Sequence, residues 1–325
     1  MHPCLRILRR TVGRTASASP RDDRPARRAV LAALGALVAV LAAEPAGAVA
    51  PELTGLARLD AFATSDLFPG GPTREEDSGL RLRLAPELQF HAGQRLRVKP
   101  WADVGIERYQ DYPERDVETY EFGVDLRRSN VRLRLLAGFS NDELYFPDPG
   151  GDAIVDRRHG AAEVRVEVRP GLRVHGGLER ETNTFDELHP ERDDRRWTTR
   201  LALERGDSRR LRTALTWMYR DTKSVTDLYT YGQNVLRFDV EGALSARVHG
   251  ALRVEGGLRT YQTGDVYASN FSRQDNRWRL LTTLAHPVAG PLRAEVGAQW
   301  RQTGSTRDSK DSIVRGIGLG LVYER

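Results

Sequence analysis

Cysteine and lysine are scarce in this sequence. Among 325 residues the only cysteine is Cys4, near the N-terminus, so the rest of the chain has no disulfide, thiolate nucleophile or cysteine metal ligand. Lysine occurs only at Lys99, Lys223 and Lys310, so the formal net charge of +5 rests on arginine. The arginines alternate with Asp and Glu and form no basic patch, which argues against nucleic-acid binding.

Long apolar runs are also missing. No stretch reaches the roughly 18 consecutive apolar residues that a transmembrane helix needs, and the mean hydropathy is −0.52. This lack of apolar runs does not exclude a transmembrane β-barrel, because only alternate residues of its strands face lipid.

The N-terminus has the pattern of an export signal. Arg24, Arg27 and Arg28 precede the apolar stretch at 29–43, and two Ala-x-Ala sites follow within residues 46–50. A charged region, a short apolar core and small residues at a cleavage site are typical of a signal peptide. We therefore predict a leader at 1–50 and a mature domain at 51–325, with a retained membrane anchor as the alternative.

The mature chain repeats one pattern, seen first in residues 78–109. Leu80, Leu82 and Leu84 alternate with Arg81 and Arg83, and the alternation resumes after a turn at 92–94. A period of two over consecutive runs predicts a β-hairpin with an apolar and a charged face.

About fourteen such runs follow one another. They lie near 53–64, 79–91, 95–108, 118–128, 131–140, 161–169, 172–181, 195–205, 210–220, 234–246, 251–261, 276–286, 291–302 and 313–323. Short turns alternate with long polar loops near 65–78, 109–117, 141–160, 182–194, 221–233, 262–275 and 303–312. Strict alternation of short and long connections favours an up-and-down barrel over a sandwich with Greek-key crossovers. The longest loop, 141–160, is the candidate for a constriction.

Aromatic residues gather next to the predicted long loops, where we expect an outer interfacial girdle. They are Tyr109, Tyr112, Tyr120, Tyr145, Phe146, Trp197, Trp217, Tyr219, Tyr229, Tyr231, Tyr261, Tyr267, Trp278 and Trp300.

With these features, residues 51–325 resemble bacterial outer-membrane β-barrels of the porin-like kind. The last run places Ile317, Leu319, Leu321 and Tyr323 on one face, as the terminal assembly signal of such proteins does, although Glu324 and Arg325 follow the aromatic residue. The resemblance implies an all-β fold: a single transmembrane up-and-down antiparallel barrel of about 14 strands in the bacterial outer membrane.

Charged residues between the apolar ones are the predicted pore lining. They are Arg95, Arg97, Asp103, Glu107, Glu121, Arg132, Arg134, Arg165, Glu167, Arg173, Glu179, Arg212, Arg237, Glu241, Arg253, Glu255, Arg293 and Glu295. Arginines cluster near the short turns and acids toward the long loops, which predicts an acidic vestibule and an arginine-lined inner mouth that favours anions. The alternative is a lumen tied together by cross-strand Arg–Glu pairs.

The sequence thus predicts a porin-like channel for passive diffusion of small polar or anionic solutes, with no catalytic residues, metal or cofactor. Two alternatives remain: an export barrel for a lipoprotein or polysaccharide that works with a periplasmic partner, and an outer-membrane hydrolase. For the hydrolase, His159 and His189 are the histidines on the long-loop side. The expected partners are outer-membrane lipid or lipopolysaccharide and the solute; self-association into a homo-oligomer stays open.

Overall fold

The computed structural model describes residues 52–64, 77–92, 96–111, 116–145, 152–185, 190–207, 210–264, 272–306 and 312–324. The predicted signal peptide at 1–50 lies outside these ranges, so the division into a leader and a mature domain at 51–325 stays a prediction. Within the described ranges, no helix is long and apolar enough to cross a membrane.

Fourteen antiparallel strands make up the domain, in agreement with the predicted number. They are β1 Glu52–Thr64, β2 Asp77–Ala92, β3 Leu96–Tyr109, β4 Val117–Arg128, β5 Val131–Tyr145, β6 Asp152–Arg169, β7 Leu172–Phe185, β8 Asp194–Asp207, β9 Leu211–Ser224, β10 Tyr231–Ala243, β11 His249–Gly264, β12 Ser272–Ala289, β13 Leu292–Ser305 and β14 Ser312–Glu324. Short 3₁₀ turns at Pro190–Arg192 and Asp227–Tyr229 lie between strands.

Each strand pairs with its neighbours in sequence, and β1 pairs with β14 to close the barrel. The closing register runs from Leu56 opposite Glu324 to Thr64 opposite Gly316. Closure leaves no free edge, so every strand can satisfy its backbone hydrogen bonds within the sheet, as a bilayer requires. The predicted up-and-down antiparallel barrel is confirmed.

Large aliphatic side chains are exposed on the outside. Leu201, Leu236, Ile317 and Leu319 are 53%, 54%, 58% and 63% exposed, and the charged residues Arg200, Glu204, Arg237 and Asp239 of the same strands lie at the alternate, inward positions. An apolar surface that extends around a whole barrel is unfavourable in water and favourable in hydrocarbon. The protein is therefore placed in a lipid bilayer, and a barrel of this type belongs to the bacterial outer membrane.

Several strands extend beyond the predicted runs. The ladder between β5 and β6 continues to Tyr145 opposite Asp152, so the predicted loop at 141–160 is mostly strand and only 146–151 lie outside the described residues. The prediction was wrong here because backbone pairing does not depend on side-chain polarity. A constriction formed by a loop of that length is excluded.

The predicted aromatic girdle is only partly present. Trp197, Trp217 and Trp278 are 45%, 40% and 53% exposed on the outer face. Tyr231 and Tyr261 instead point inward and are 7% exposed, with ring centroids 5.4 Å apart. Their odd positions on β10 and β11 place them on the charged face, so assigning them to the lipid interface was wrong.

Candidate functional site: the inner face of the barrel

A space inside the barrel is bounded by side chains from seven consecutive strands, β5 to β11. Its lining residues are Arg132, Arg134, Glu163, Arg165, His175, Arg200, Ala202, Glu204, Arg212, Ala214, Thr216, Arg237, Asp239 and Arg253. Since these residues occupy alternate positions on each strand, the other described residues of the same faces can be assigned from the pairing register. We call this continuous surface the inner face.

All the predicted pore-lining residues in the described ranges lie on the inner face. The remaining predicted residue, Arg95, falls outside the described residues. The ladder brings some of them directly opposite each other: Asp103 faces Glu121, Arg132 faces Arg165, and Arg237 faces Glu255. Whether they line a conducting pore is not decided by this placement and stays a prediction.

A buried carboxylate organises the inner face at β6–β9. Glu204 is 4% exposed and accepts a 2.6 Å hydrogen bond from Arg165 and a second bond from Arg173. Arg212 and the His175 ring lie 3.8 Å and 3.4 Å from its oxygens. Cross-strand ion pairs of the predicted kind therefore exist here, but Glu204 is their centre and was not among the predicted residues.

A second network joins the first strand to the last ones. Arg58 on β1 donates to Asp60 at 2.6 Å and lies 2.8 Å from Glu295 on β13, so it reaches over β14. Gly320 on β14 permits this approach, because a Cβ there would lie 2.0 Å from an Asp60 carboxylate oxygen. This contact stabilises barrel closure through side chains as well as through the backbone ladder.

The short-turn end of the inner face is basic. A space next to the turn at 129–130 is lined by five arginines and two acids: Arg127, Arg132, Arg165, Arg173, Arg212, Glu167 and Asp207. The predicted clustering of arginines near the short turns is present in three dimensions.

The described residues give little support to a hydrolase that uses histidine. His159 lies on the inner face of β6, and its Nε2 is 3.2 Å from a Glu121 oxygen. His189, the other candidate of the hydrolase alternative, lies outside the described ranges. In the part of the chain that is described, no three His, Cys, Asp or Glu side chains are grouped to hold a metal ion.

Some inner-face residues outside the predicted pore lining contribute to the geometry. Glu204 forms the centre described above, and Arg220, Arg259 and Arg277 occupy alternate positions on β9, β11 and β12. Alternation would have placed them on the inner face. The sequence had no signal for which arginines lie beside a carboxylate, because that depends on the register between strands.

No protein-family model matches the sequence, and no curated protein matches it. Among solved structures, the chain is similar to a loop L8 deletion mutant of OmpT, an outer membrane protein of Vibrio cholerae, with 10% identity, a TM-score of 0.47, and coverage of 85% of this chain and 99% of that chain. It is similar at the same identity, TM-score and coverage to an anion-selective porin from Comamonas acidovorans. A bacterial polysaccharide outer membrane secretin has a TM-score of 0.41 and 10% identity, with coverage of 83% and 98%.

Since these TM-scores are below 0.5, we classify the chain from its own geometry. Fourteen antiparallel strands in sequence order close on themselves, the outer face is aliphatic, and the inner face is charged. This is the arrangement that a water-filled barrel adopts in the bacterial outer membrane. The protein is a closed, fourteen-stranded antiparallel β-barrel of the bacterial outer membrane.

Proposed function

We propose that this barrel is a channel through which small polar or anionic solutes diffuse passively. The observation that carries the proposal is the charged inner face. Arginine and carboxylate side chains from seven consecutive strands surround one internal space, and a polar barrel interior of this kind holds water in channel proteins. Such charges are stable inside a membrane protein when water reaches them.

An anion preference follows from the balance of charge at the short-turn end. Five arginines and two acids surround the space there, and the positive potential raises the local anion concentration. Ion pairs neutralise part of this charge, since Arg165 and Arg173 both bind Glu204. Within the described residues, Arg127 has no carboxylate oxygen within 4 Å, so its charge acts on solutes directly.

Conductance in planar bilayers tests the channel. We expect discrete conductance steps after insertion of the purified protein, and a reversal potential of anion-selective sign in a potassium chloride gradient. A barrel that stays closed would favour the export alternative, and one that is silent but cleaves an ester or amide substrate would favour the hydrolase. Either result would overturn the proposed function.

A matched pair of variants tests the anion preference. Arg127→Glu reverses a charge on the inner face, and Arg128→Glu makes the same change at the next residue, which faces outward. We expect Arg127→Glu to move the reversal potential toward cations and Arg128→Glu to change it much less. Equal shifts in the two variants would contradict a luminal role for Arg127.

A further inference from the structure

Three arginines on the inner face of β9–β12 have no acidic partner. Arg220, Arg259 and Arg277 project from β9, β11 and β12, and in the described residues none of them has a carboxylate oxygen within 4 Å. Many other arginines of the inner face bind acids, as Arg165 and Arg173 bind Glu204.

These three arginines surround Gln233. The register places Gln233 opposite Arg220 on one side and opposite Arg259 on the other, while Arg277 lies opposite Gly257 on the neighbouring strand pair. Adjacent strands are about 4.8 Å apart, so the Cα atoms of Arg220 and Arg259 are roughly 10 Å apart, a span that two arginine side chains can close. Gly257 leaves room, because a Cβ there would lie 3.2 Å from the Gln233 amide nitrogen.

The acid opposite Arg259 is already bound by other groups. Asp275 lies opposite Arg259, but its oxygens accept bonds of 2.9 and 2.8 Å from Arg273 and one of 2.6 Å from Ser305. The Tyr261 hydroxyl donates to the same carboxylate at 3.2 Å. These bonds occupy most of the hydrogen-bond acceptor positions of the Asp275 carboxylate, so few are left for Arg259.

Aromatic contacts hold Arg259 in place instead. Its guanidinium carbon lies 4.0 Å from the ring centroid of Tyr231, and its Nη1 donates to the Tyr261 hydroxyl at 3.2 Å. A guanidinium over an aromatic face keeps its full charge and its remaining donors.

Polar atoms at the cluster have no protein partner. The Nε atoms of Arg259 and Arg277 are buried without a hydrogen bond, and so is Oε1 of Gln233, whose side chain belongs to a residue only 3% exposed. Buried polar atoms without partners are rare and costly in folded proteins. Guanidinium donors without a protein partner match the acceptor oxygens of an anion.

We propose that Arg220, Arg259 and Arg277, with Gln233 at their centre, form a binding site for a small oxyanion, a carboxylate or phosphate group that enters through the lumen. The site rests on the proposed channel function, because it names where and how the anionic solute is held. Guanidinium groups donate two parallel bonds to two oxygens of one group, so an oxyanion is bound more strongly than chloride. The Gln233 amide adds a donor or an acceptor according to the protonation of the bound group.

Calorimetric titration of the full-length barrel in detergent tests the site without relying on conductance. The probes are inorganic phosphate and acetate, with chloride for comparison. Each of Arg220→Gln, Arg259→Gln and Arg277→Gln should weaken phosphate binding about tenfold, and the triple variant should bind no phosphate, since each change removes charge-assisted hydrogen bonds. Arg58→Gln is the control, because it removes the same charge from an inner-face arginine that already binds Asp60 and Glu295.

Four outcomes decide the proposal. Loss of binding in the triple variant with near-normal binding in Arg58→Gln supports it, and a difference between phosphate and acetate identifies the group preferred. Equal weakening in Arg58→Gln, or undiminished binding in the triple variant, overturns it, as does a wild-type protein that binds neither probe. If the triple variant fails to fold, which circular dichroism reports, Arg277→Gln decides alone. A barrel that binds phosphate but never conducts would refute the channel and leave the site standing.

Discussion

Glu204 is the residue whose loss should destabilise the barrel most clearly. It is 4% exposed and binds Arg165 and Arg173, whose side chains are themselves only 25% and 28% exposed. Glu204→Gln keeps the size of the side chain but removes the charge, and both arginines then lose their carboxylate. Breaking a fully buried ion pair costs about 3–5 kcal/mol, and breaking an exposed one costs about 0.2–1 kcal/mol. Because the lumen partly hydrates these groups, we expect a loss of about 2 kcal/mol.

The measurement is urea unfolding of the barrel in lipid vesicles, followed by tryptophan fluorescence. Glu241→Gln is the control, because its side chain is 31% exposed and lies 2.9 Å from Arg212, so the same substitution should cost less than about 1 kcal/mol. Equal destabilisation by the two substitutions would refute the reasoning that burial of the carboxylate decides the cost. A gain in stability for Glu204→Gln would mean that the desolvation of its charge exceeds the attraction of its partners.

Three further predictions test the contact that closes the barrel, the assignment of the lipid-facing side, and the electrostatic potential in the lumen. Gly320→Val should displace Asp60 and cost about 1–3 kcal/mol of unfolding free energy, whereas Gly304→Val, where no atom lies within 4 Å of a Cβ, should have little effect; equal costs would contradict the close contact. Leu319→Arg on the outer face should cost about 2–4 kcal/mol in vesicles, and Gln299→Arg on the inner face should cost much less, so a reversed order would invert the assigned faces. Anion preference should fall between about 0.1 M and 1 M salt as the Debye length shortens from about 10 Å to about 3 Å, and a preference independent of salt would point to size instead of charge.

Alternation along the strands was sufficient to predict the barrel. Leu80, Leu82 and Leu84 face lipid and Arg81 and Arg83 face the lumen, because successive side chains in a strand point to opposite sides. The strand number followed from the same pattern. Strand ends were less predictable. Residues 141–145 continue the backbone ladder with β6, although their mostly polar sequence predicted a loop.

The partners of the luminal charges could not be predicted. Period-two alternation assigns a face, but the register between strands decides which charge meets which, and a shift by two residues would keep every face and change every pair. Thus Arg165 lies opposite His175 and bonds Glu204 two strands away, a partner that alternation alone does not indicate. The inward position of Tyr231 and Tyr261 was missed for a related reason, because aromatic residues suit both a lipid interface and a cationic neighbour.

Buried arginines are stabilised by different contacts on the two sides of the lumen. On β6–β9 the Glu204 carboxylate binds Arg165 and Arg173, which fixes these side chains and partly neutralises their charge. On β9–β12 a tyrosine ring supports Arg259 and leaves its charge uncompensated. In the proposed oxyanion site, the anion binds on the second side, because it gains most where a positive charge has no protein partner. The same inner face therefore combines stability with attraction because its carboxylates are unevenly distributed.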